Sequence, residues 1–524
     1  MKVAGAASRH DFVIVVPVAD RPRHLADCLA SLAGLLQHHP YAGAVQVLAV
    51  DDSLAADNQA RHRAIAAEFS AAGLPVHYLD QAAQGDLVAA LPASLRGRLA
   101  GPLGDGGRRG HKGASVTRNI AYLWLNRLPD TGRPQLFWFV DSDQEFRVNL
   151  ARGEDEELAY AVDYLGELDR LFSTTGTQVL TGKVVGDPPV SPAVMAGNFV
   201  ADVTAFLTDL AGLDGDAECR FHGRPARQAD DAAYHDMADL FGFRAAAEAW
   251  RYPCPLRGRH DHAACLADFA ARLGHFFDGE HPTRRSHYRP DAGPAGLKPA
   301  RTVYTGNYVF SRAGLAWFIP FADLRLRMAG PTLGRIMRAE LGDAFASANL
   351  PMLHRRTVAD SGRAECRPGV VHGGQAVDLS GEFERQYFGD VMLFSMETLC
   401  AAGYPGAEPT AVAIAATVAA TEAAMRGRYR ERQASIAAQV EDLAALFEAP
   451  ERWWHGTPGL AAARAGVGEF IANLRANFGT GAPAWHRIED AGVRQAQLDA
   501  IAAAIGRYGA DRAAWQAALA AGAA

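Results

Sequence analysis

The chain has 524 residues, more than one hydrophobic core usually serves, so two or three structural units are expected. Hydrophobic residues at 49% and charged residues at 21% are ordinary globular proportions, and a net charge of −7 argues against a nucleic-acid binder driven by counterion release. No apolar run approaches the length of a bilayer span, and MKVAGAASRHD holds too short an apolar portion for a secretory signal. Six dispersed cysteines with no CxxC pair point to reduced thiols and a cytoplasmic protein.

In chain order, Asp11–Val18 (DFVIVVPV) predicts a buried strand, followed by an amphipathic helix over about His24–Leu36. Val45–Val50 predicts a second strand ending in Asp51-Asp52-Ser53. A helix over about Asp57–Ala72 and a short strand at Pro75–Leu79 follow. This β-α-β-α-β spacing predicts a parallel sheet covered by helices. The stretch from Gln81 to about Arg109 reads as a loop with one or two helical turns, and Ser115–Leu125 as a helix. Leu136–Val140 is a continuous apolar run that ends in Asp141-Ser142-Asp143, the signature of a central strand delivering acids to the rim of a sheet.

Beyond it, a helix is expected over Glu154–Ser173 and a strand over Gln178–Val185, then an irregular proline-rich turn, Gly186–Pro192. Residues 198–300 read as a mostly helical insertion. Arg301–Phe310 reads as a strand, Leu315–Ile319 and Thr332–Leu341 as helices, and Leu353–Val358 as an edge strand. From about Thr410 onward, long Ala-rich amphipathic segments predict a helical region.

Two carboxylates one residue apart at a strand end can share a hard divalent cation, and that cation can hold a diphosphate. Asp51 and Asp52 end the second strand, where a carboxylate can accept hydrogen bonds from a nucleobase or ribose. The helix opening at Gly113-Ala114-Ser115, flanked by Lys112 and Arg118, offers N–H groups and positive charge to phosphate oxygens. Tyr304-Thr305-Gly306-Asn307 would bring small polar groups, Asn307 among them, to the far side of the same cleft.

Taken in this order, VVPVADRPRHLADCLASL, VLAVDDS, GASVTRNIA, FVDSD and TGNYVFSRAGLAWFIPF resemble the family-2-like glycosyltransferases of GT-A fold over roughly residues 11–360. The resemblance implies an α/β, Rossmann-like, mostly parallel sheet with helices on both faces. On that frame 1–197 is the nucleotide-sugar half, 198–300 an inserted subdomain, 301–375 the acceptor-side half and 376–524 a helical appendage that covers the cleft or dimerises. It implies Asp141 and Asp143 as ligands of Mg²⁺ or Mn²⁺ on the diphosphate of a nucleotide-diphospho-sugar, with Asp51 and Asp52 at the base and ribose. Pro17 and Asp20 would lie along the nucleotide cleft, Arg118 would face the diphosphate, and His354 would be a further metal ligand. The implied activity is transfer of a hexose to a small-molecule, glycan or lipid-linked hydroxyl acceptor.

One departure stands out. Inverting relatives carry an acidic pair at the start of the helix that here begins near Gly330-Pro331, so the usual general base is missing. Three readings follow: retention with the leaving phosphate taking the acceptor proton, a base from elsewhere such as Asp323 or Asp187, or loss of activity. Retention is preferred, and a non-catalytic nucleotide-sugar-binding scaffold is the alternative. A phosphatase with a strand-DxD motif fits worse, because its motif falls on an early strand. The insertion also carries His222, His235, His260, His262, Cys219, Cys254 and Cys265, but no subset has zinc-finger spacing.

Overall fold

Residues that are apolar at every position of a strand must be covered on both sides, and that requirement sets the architecture. The computed structural model describes residues 10–104, 110–152, 155–187, 191–222, 252–280, 286–289, 296–355 and 368–522. His235, Cys366 and the segments 1–9, 188–190, 223–251 and 281–285 lie outside the described residues.

The main sheet has nine strands. Along its path they are β3 (Val76–Leu79), β2 (Val45–Asp51), β1 (Asp11–Val18), β4 (Gln135–Val140), β10 (Asn307–Ser311), β8 (Val179–Gly186), β11 (Phe345–His354) and β5 (Gln144–Glu145), with β9 (Lys298–Pro299) paired to β11 off the path. β1 pairs in parallel with both β2 and β4, β2 with β3, and β8 with β11. β10 is antiparallel to β4 and β8, and β5 is antiparallel to β11. The fold is therefore α/β with a mixed sheet in which most strands run one way.

Alternation divides the core in two. Val13, Val15, Phe137, Phe139, Tyr308 and Phe310 face one hydrophobic cluster, and Phe12, Ile14, Val16, Leu136, Trp138 and Val309 face the other. The second side is closed by the helices Pro22–His38 and Tyr164–Thr174. The first side is closed by Ala114–Asn126, Pro192–Ala211, His262–Leu273 and the C-terminal helices Ser380–Ala401, Ala411–Glu448, Ala461–Phe478 and Ala491–Gly522. The C-terminal helices pack on the other helices of this side: Ala411–Glu448 on Pro192–Ala211, Ala461–Phe478 on His262–Leu273, and Ala491–Gly522 on Ala114–Asn126. Trp515 donates from Nε1 to Leu315 O at 2.8 Å, and Arg512 bridges to Glu340 at 2.5 Å. Trp453 and Trp454 serve packing here, donating to Leu210 O and Phe447 O.

Several expectations change. Part of the segment read as a helix from Glu154 is a hairpin, β6 (Val148–Arg152) against β7 (Asp155–Ala159), with Val148 opposite Ala159. The helix begins only at Tyr164, where Asp163 caps it by accepting from Gly166 N. Residue 198 falls inside the Pro192–Ala211 helix, so no structural boundary lies there. That helix is long and apolar enough to cross a membrane, contrary to the sequence reading, yet 67% of its apolar window is buried against the rest of the chain. Of the edge strand expected over Leu353–Val358, Leu353 and His354 are the end of β11, which lies inside the sheet, and residues 356–358 lie outside the described residues. Gln81–Ala89 forms a nine-residue helix capped by Asp80, somewhat longer than the one or two helical turns expected within a loop there.

Candidate active site

The C-terminal ends of β1, β2 and β4 open onto one cleft of about 420 Å³, within the size range of small-molecule sites. Pro17, Val18, Ala19 and Arg21 line it after β1, and Asp52 after β2. The start of the Ala114–Asn126 helix adds Gly113, Ala114 and Arg118, and the β4 end adds Asp141, Ser142 and Asp143. Val303–Thr305 and Leu326–Pro331, with Arg385, form the opposite wall, and His354 closes the floor.

The backbone delivers the two acids by a short turn. Gln144 N donates to Asp141 O at 3.0 Å, and β5 then runs back antiparallel to β11, with His354 opposite Gln144. Asp143 consequently lies beside the last residue of β11. Its Oδ2 is 3.4 Å from His354 Nε2 and accepts from Arg21 Nη1 at 3.1 Å. His354 Nδ1 is 2.7 Å from Asp187 O, a hydrogen bond that fixes the ring with Nε2 turned toward Asp143. Asp141 takes a different partner, the Arg118 guanidinium. Burial raises the Asp141 pKa, Arg118 works against that rise, and the neighbouring charge of Asp143 adds to it. Asp141, Asp143 and His354 do not close into one three-ligand cluster; among the described residues only Cys219, Cys254 and His260 do so.

Gly306 sits over Asp141 because nothing larger fits. A Cβ there would lie 2.7 Å from Asp141 Oδ2 and 2.8 Å from Gln144 Nε2.

Asp52 is the hinge between strand ends and helix. Its N–H donates to Val18 O at 2.8 Å and its carbonyl accepts from His111 N at 2.8 Å. Its carboxylate accepts from Lys112 N at 3.0 Å, Lys112 Nζ at 2.8 Å and Gly113 N at 3.2 Å. A carboxylate has about four acceptor positions, so one stays open toward the cleft. Lys112 is thus spent on Asp52 and is absent from the cleft lining, which differs from its expected place at the phosphates. Gly113 enters the helix at φ 106°, a backbone that favours glycine.

Three other expected nucleotide contacts lie elsewhere. Asp51 is fully buried and turned away from the cleft, accepting from Ser53 N at 2.8 Å and Tyr78 OH at 2.5 Å, with His62 Nδ1 at 2.9 Å. Burial acts to raise its pKa, but these hydrogen bonds outweigh it and hold the carboxyl below the usual range. Asp20, at φ 55°, accepts from Leu54 N, Ala55 N and Asn58 Nδ2, with His111 Nε2 at 2.8 Å, and so clamps the loop after β2. Burial opposes ionisation of Asp20 as well, and the same hydrogen bonds lower its pKa. Asn307 spends its amide inside the sheet: Oδ1 accepts from Trp138 Nε1 at 2.9 Å, and Nδ2 donates to Lys183 O and Leu350 O. Of the alternative bases, Asp323 is ion-paired to Arg507 and Asp187 lies behind His354, and neither lines the cleft.

Sequence reasoning missed Arg21, Arg327 and Arg385. Arg21 was legible as the residue after the first strand's Asp20. The other two depend on the Ser380–Ala401 helix packing beside residues 325–331. Burial and the neighbouring Arg327 bring the Arg385 pKa down to about 10.

No family model matches the chain, and no curated protein matches it. Among solved structures it is similar to glucosyl-3-phosphoglycerate synthase from Mycobacterium tuberculosis in complex with Mn²⁺, uridine diphosphate and phosphoglyceric acid. That likeness has 14% identity over 67% of this chain and 74% of that one, with a TM-score of 0.28.

Proposed function

We propose that the chain is a metal-dependent glycosyltransferase of GT-A fold acting on a nucleotide-diphospho-sugar in the cytoplasm. The observation that carries this reading is the meeting of Asp52, the Gly113–Ala114 helix start, Arg118, Asp141, Asp143 and His354 around one cleft at the ends of parallel strands. Oxygen and imidazole donors suit Mg²⁺ or Mn²⁺. Asp143 and His354 already face one another, and Asp141, now paired with Arg118, would be the third residue to hold the ion. The ion would neutralise charge gathering on the departing diphosphate.

The chain's own groups do the rest. Arg118, Arg21 and the helix N-terminus offer positive charge to the phosphates. The remaining acceptor position of Asp52 receives a ribose or base N–H or O–H. The opposite wall carries Arg385 beside Arg327, whose guanidinium is paired to Glu382 at 3.0 Å, so Arg385 is the positive charge there that favours an acceptor bearing negative charge near its hydroxyl. On the described wall the carboxylates are Asp52, Asp141 and Asp143, and each is bonded to a cation. The Gly330-Pro331 helix start brings no acid, and a Cβ at Gly330 would lie 2.4 Å from Val303 O. The leaving phosphate is then the basic group nearest the acceptor hydroxyl, which corresponds to retention of configuration.

The pairing of Asp141 with Arg118 is the observation that favours the alternative, a nucleotide-sugar-binding scaffold without turnover. A thermal-shift screen of UDP, GDP, ADP and TDP with and without Mn²⁺, followed by incubation of the matching nucleotide-sugar with hydroxy-acid and glycan acceptors, separates the two. The enzyme reading expects Mn²⁺-dependent stabilisation and a product whose anomeric proton keeps the donor's coupling. Stabilisation with neither transfer nor hydrolysis would favour the scaffold.

A further inference from the structure

A second set of ligand-type side chains lies outside the cleft, where the chain leaves the Pro192–Ala211 helix and enters His262–Leu273. Cys219 and Cys254 are distant in sequence, yet their Sγ atoms and His260 Nε2 all lie within 4.8 Å of one another. Cys254 Sγ to His260 Nε2 is 3.2 Å. Cys265, completely buried, neighbours both cysteines but its sulfur does not lie within 4.8 Å of all three atoms, so it is an adjacent thiol that could supply a fourth ligand. A tetrahedral ion with bonds of about 2.3 Å to sulfur and 2.0 Å to nitrogen separates its ligand atoms by roughly 3.5–3.8 Å, so the Cys254–His260 pair at 3.2 Å would open slightly and Cys265 would have to draw in.

We propose that Cys219, Cys254, Cys265 and His260 bind one zinc ion as a structural Cys₃His centre.

The surroundings of these groups favour a metal over a chance meeting of thiols. His260 places Nδ1 2.8 Å from Gly258 O, which fixes the proton there and leaves the Nε2 lone pair directed at Cys254. Backbone N–H groups aim at the sulfurs: Phe221 and His222 donate to Cys219, and Leu256 donates to Cys254. Amides directed at sulfur stabilise a thiolate, the form that ligates zinc. The neighbouring His262 differs: Nδ1 is 2.7 Å from Asp214 O and Nε2 accepts from Arg220 N at 3.2 Å, so both its nitrogens are spent. The chain also closes here by backbone pairing, with Glu218 opposite Asp261 and His222 opposite Cys254. A metal would fasten those two crossings to the first turn of the His262–Leu273 helix. The spacing, with Cys219 far upstream and Cys254, His260 and Cys265 close together, matches no short finger pattern and becomes visible only when the chain folds.

The test uses the full chain, expressed with zinc in the medium and purified without chelator. Elemental mass spectrometry is expected to find one zinc per chain that survives dialysis against Mn²⁺. Protein grown with cobalt is expected to show tetrahedral d–d bands and thiolate-to-cobalt charge transfer. Cys219→Ser and Cys265→Ser should lose most of the zinc, His260→Cys should keep it, and Asp143→Ala should retain it in full, which separates this site from the cleft. Zinc-free wild-type protein with freely titrating thiols would overturn the proposal, as would a disulfide among these cysteines found by peptide mapping. Because the wild-type measurement decides on its own, misfolding of a variant leaves the test intact.

Discussion

At the cleft Asp141 and Asp143 are each paired with an arginine of their own, whereas around Cys254 the ligand-type atoms turn onto one another. The first arrangement is loose and cationic. Asp143 lies 3.4 Å from His354, while Asp141 is turned to Arg118. The second is compact and rich in sulfur, with its three thiols buried and His260 half-buried. Sites that do chemistry keep a coordination position open, and sites that hold structure are closed. On the proposed reading the oxygen-rich cleft serves catalysis and the sulfur-rich corner serves stability.

The largest expected effect breaks the first half of this contrast. Asp143→Ala removes a cleft ligand and should lower kcat by about 10²–10³-fold with the thermal midpoint little changed, read by turnover and calorimetry. If the variant unfolds, Asp143 belongs with the structural groups.

Asp390 sharpens the comparison from a third place. It is buried in the Ser380–Ala401 helix, and its hydrogen bonds come from neutral groups, Tyr429 OH at 2.5 Å and Gln386 Nε2 at 2.9 Å. Burial therefore lifts its pKa from the ordinary 3.8 to about 7, above its unfolded value. Protonated Asp390 stabilises the fold fully below the unfolded pKa, and that contribution fades as pH rises through about 7. Asp390→Asn should flatten the decline, gaining up to about 4 kcal/mol over the wild type by pH 8 in denaturant titrations. Parallel pH profiles for the two proteins would contradict the assignment.

Gly306→Ala tests how closely Asp141 is placed. A methyl group there must displace the carboxylate or Gln144, and about a 10²-fold loss of turnover with unchanged zinc content is expected. The smallest effect is that of Asp52→Asn, which loses the ion pair to Lys112 and should weaken nucleoside diphosphate binding about tenfold by calorimetry, with metal dependence intact.

Much of the frame was legible because parallel strands buried on both sides read as continuous apolar runs: DFVIVVPV, VQVLAV and LFWFV each became a strand of the sheet. The same logic located the acids at the strand ends. What was hidden depends on partners distant in sequence. Nothing local in VDDS says that Asp51 turns back to His62 and Tyr78 while Asp52 faces the cleft. Asn307 resembles a site residue until β4 and β8 close around it. The β6–β7 hairpin was misread because its charged middle, near Glu156 and Glu157, also suits an exposed helix. Cysteine spacing concealed the thiol corner because its first ligand is brought in by folding.

The most direct measurement is calorimetric titration of the nucleoside diphosphate selected by thermal shift into wild type and Asp143→Ala, each with and without Mn²⁺. Tight binding that requires Mn²⁺ in the wild type and is lost in the variant is the predicted result. Equal affinity in all four titrations would contradict it.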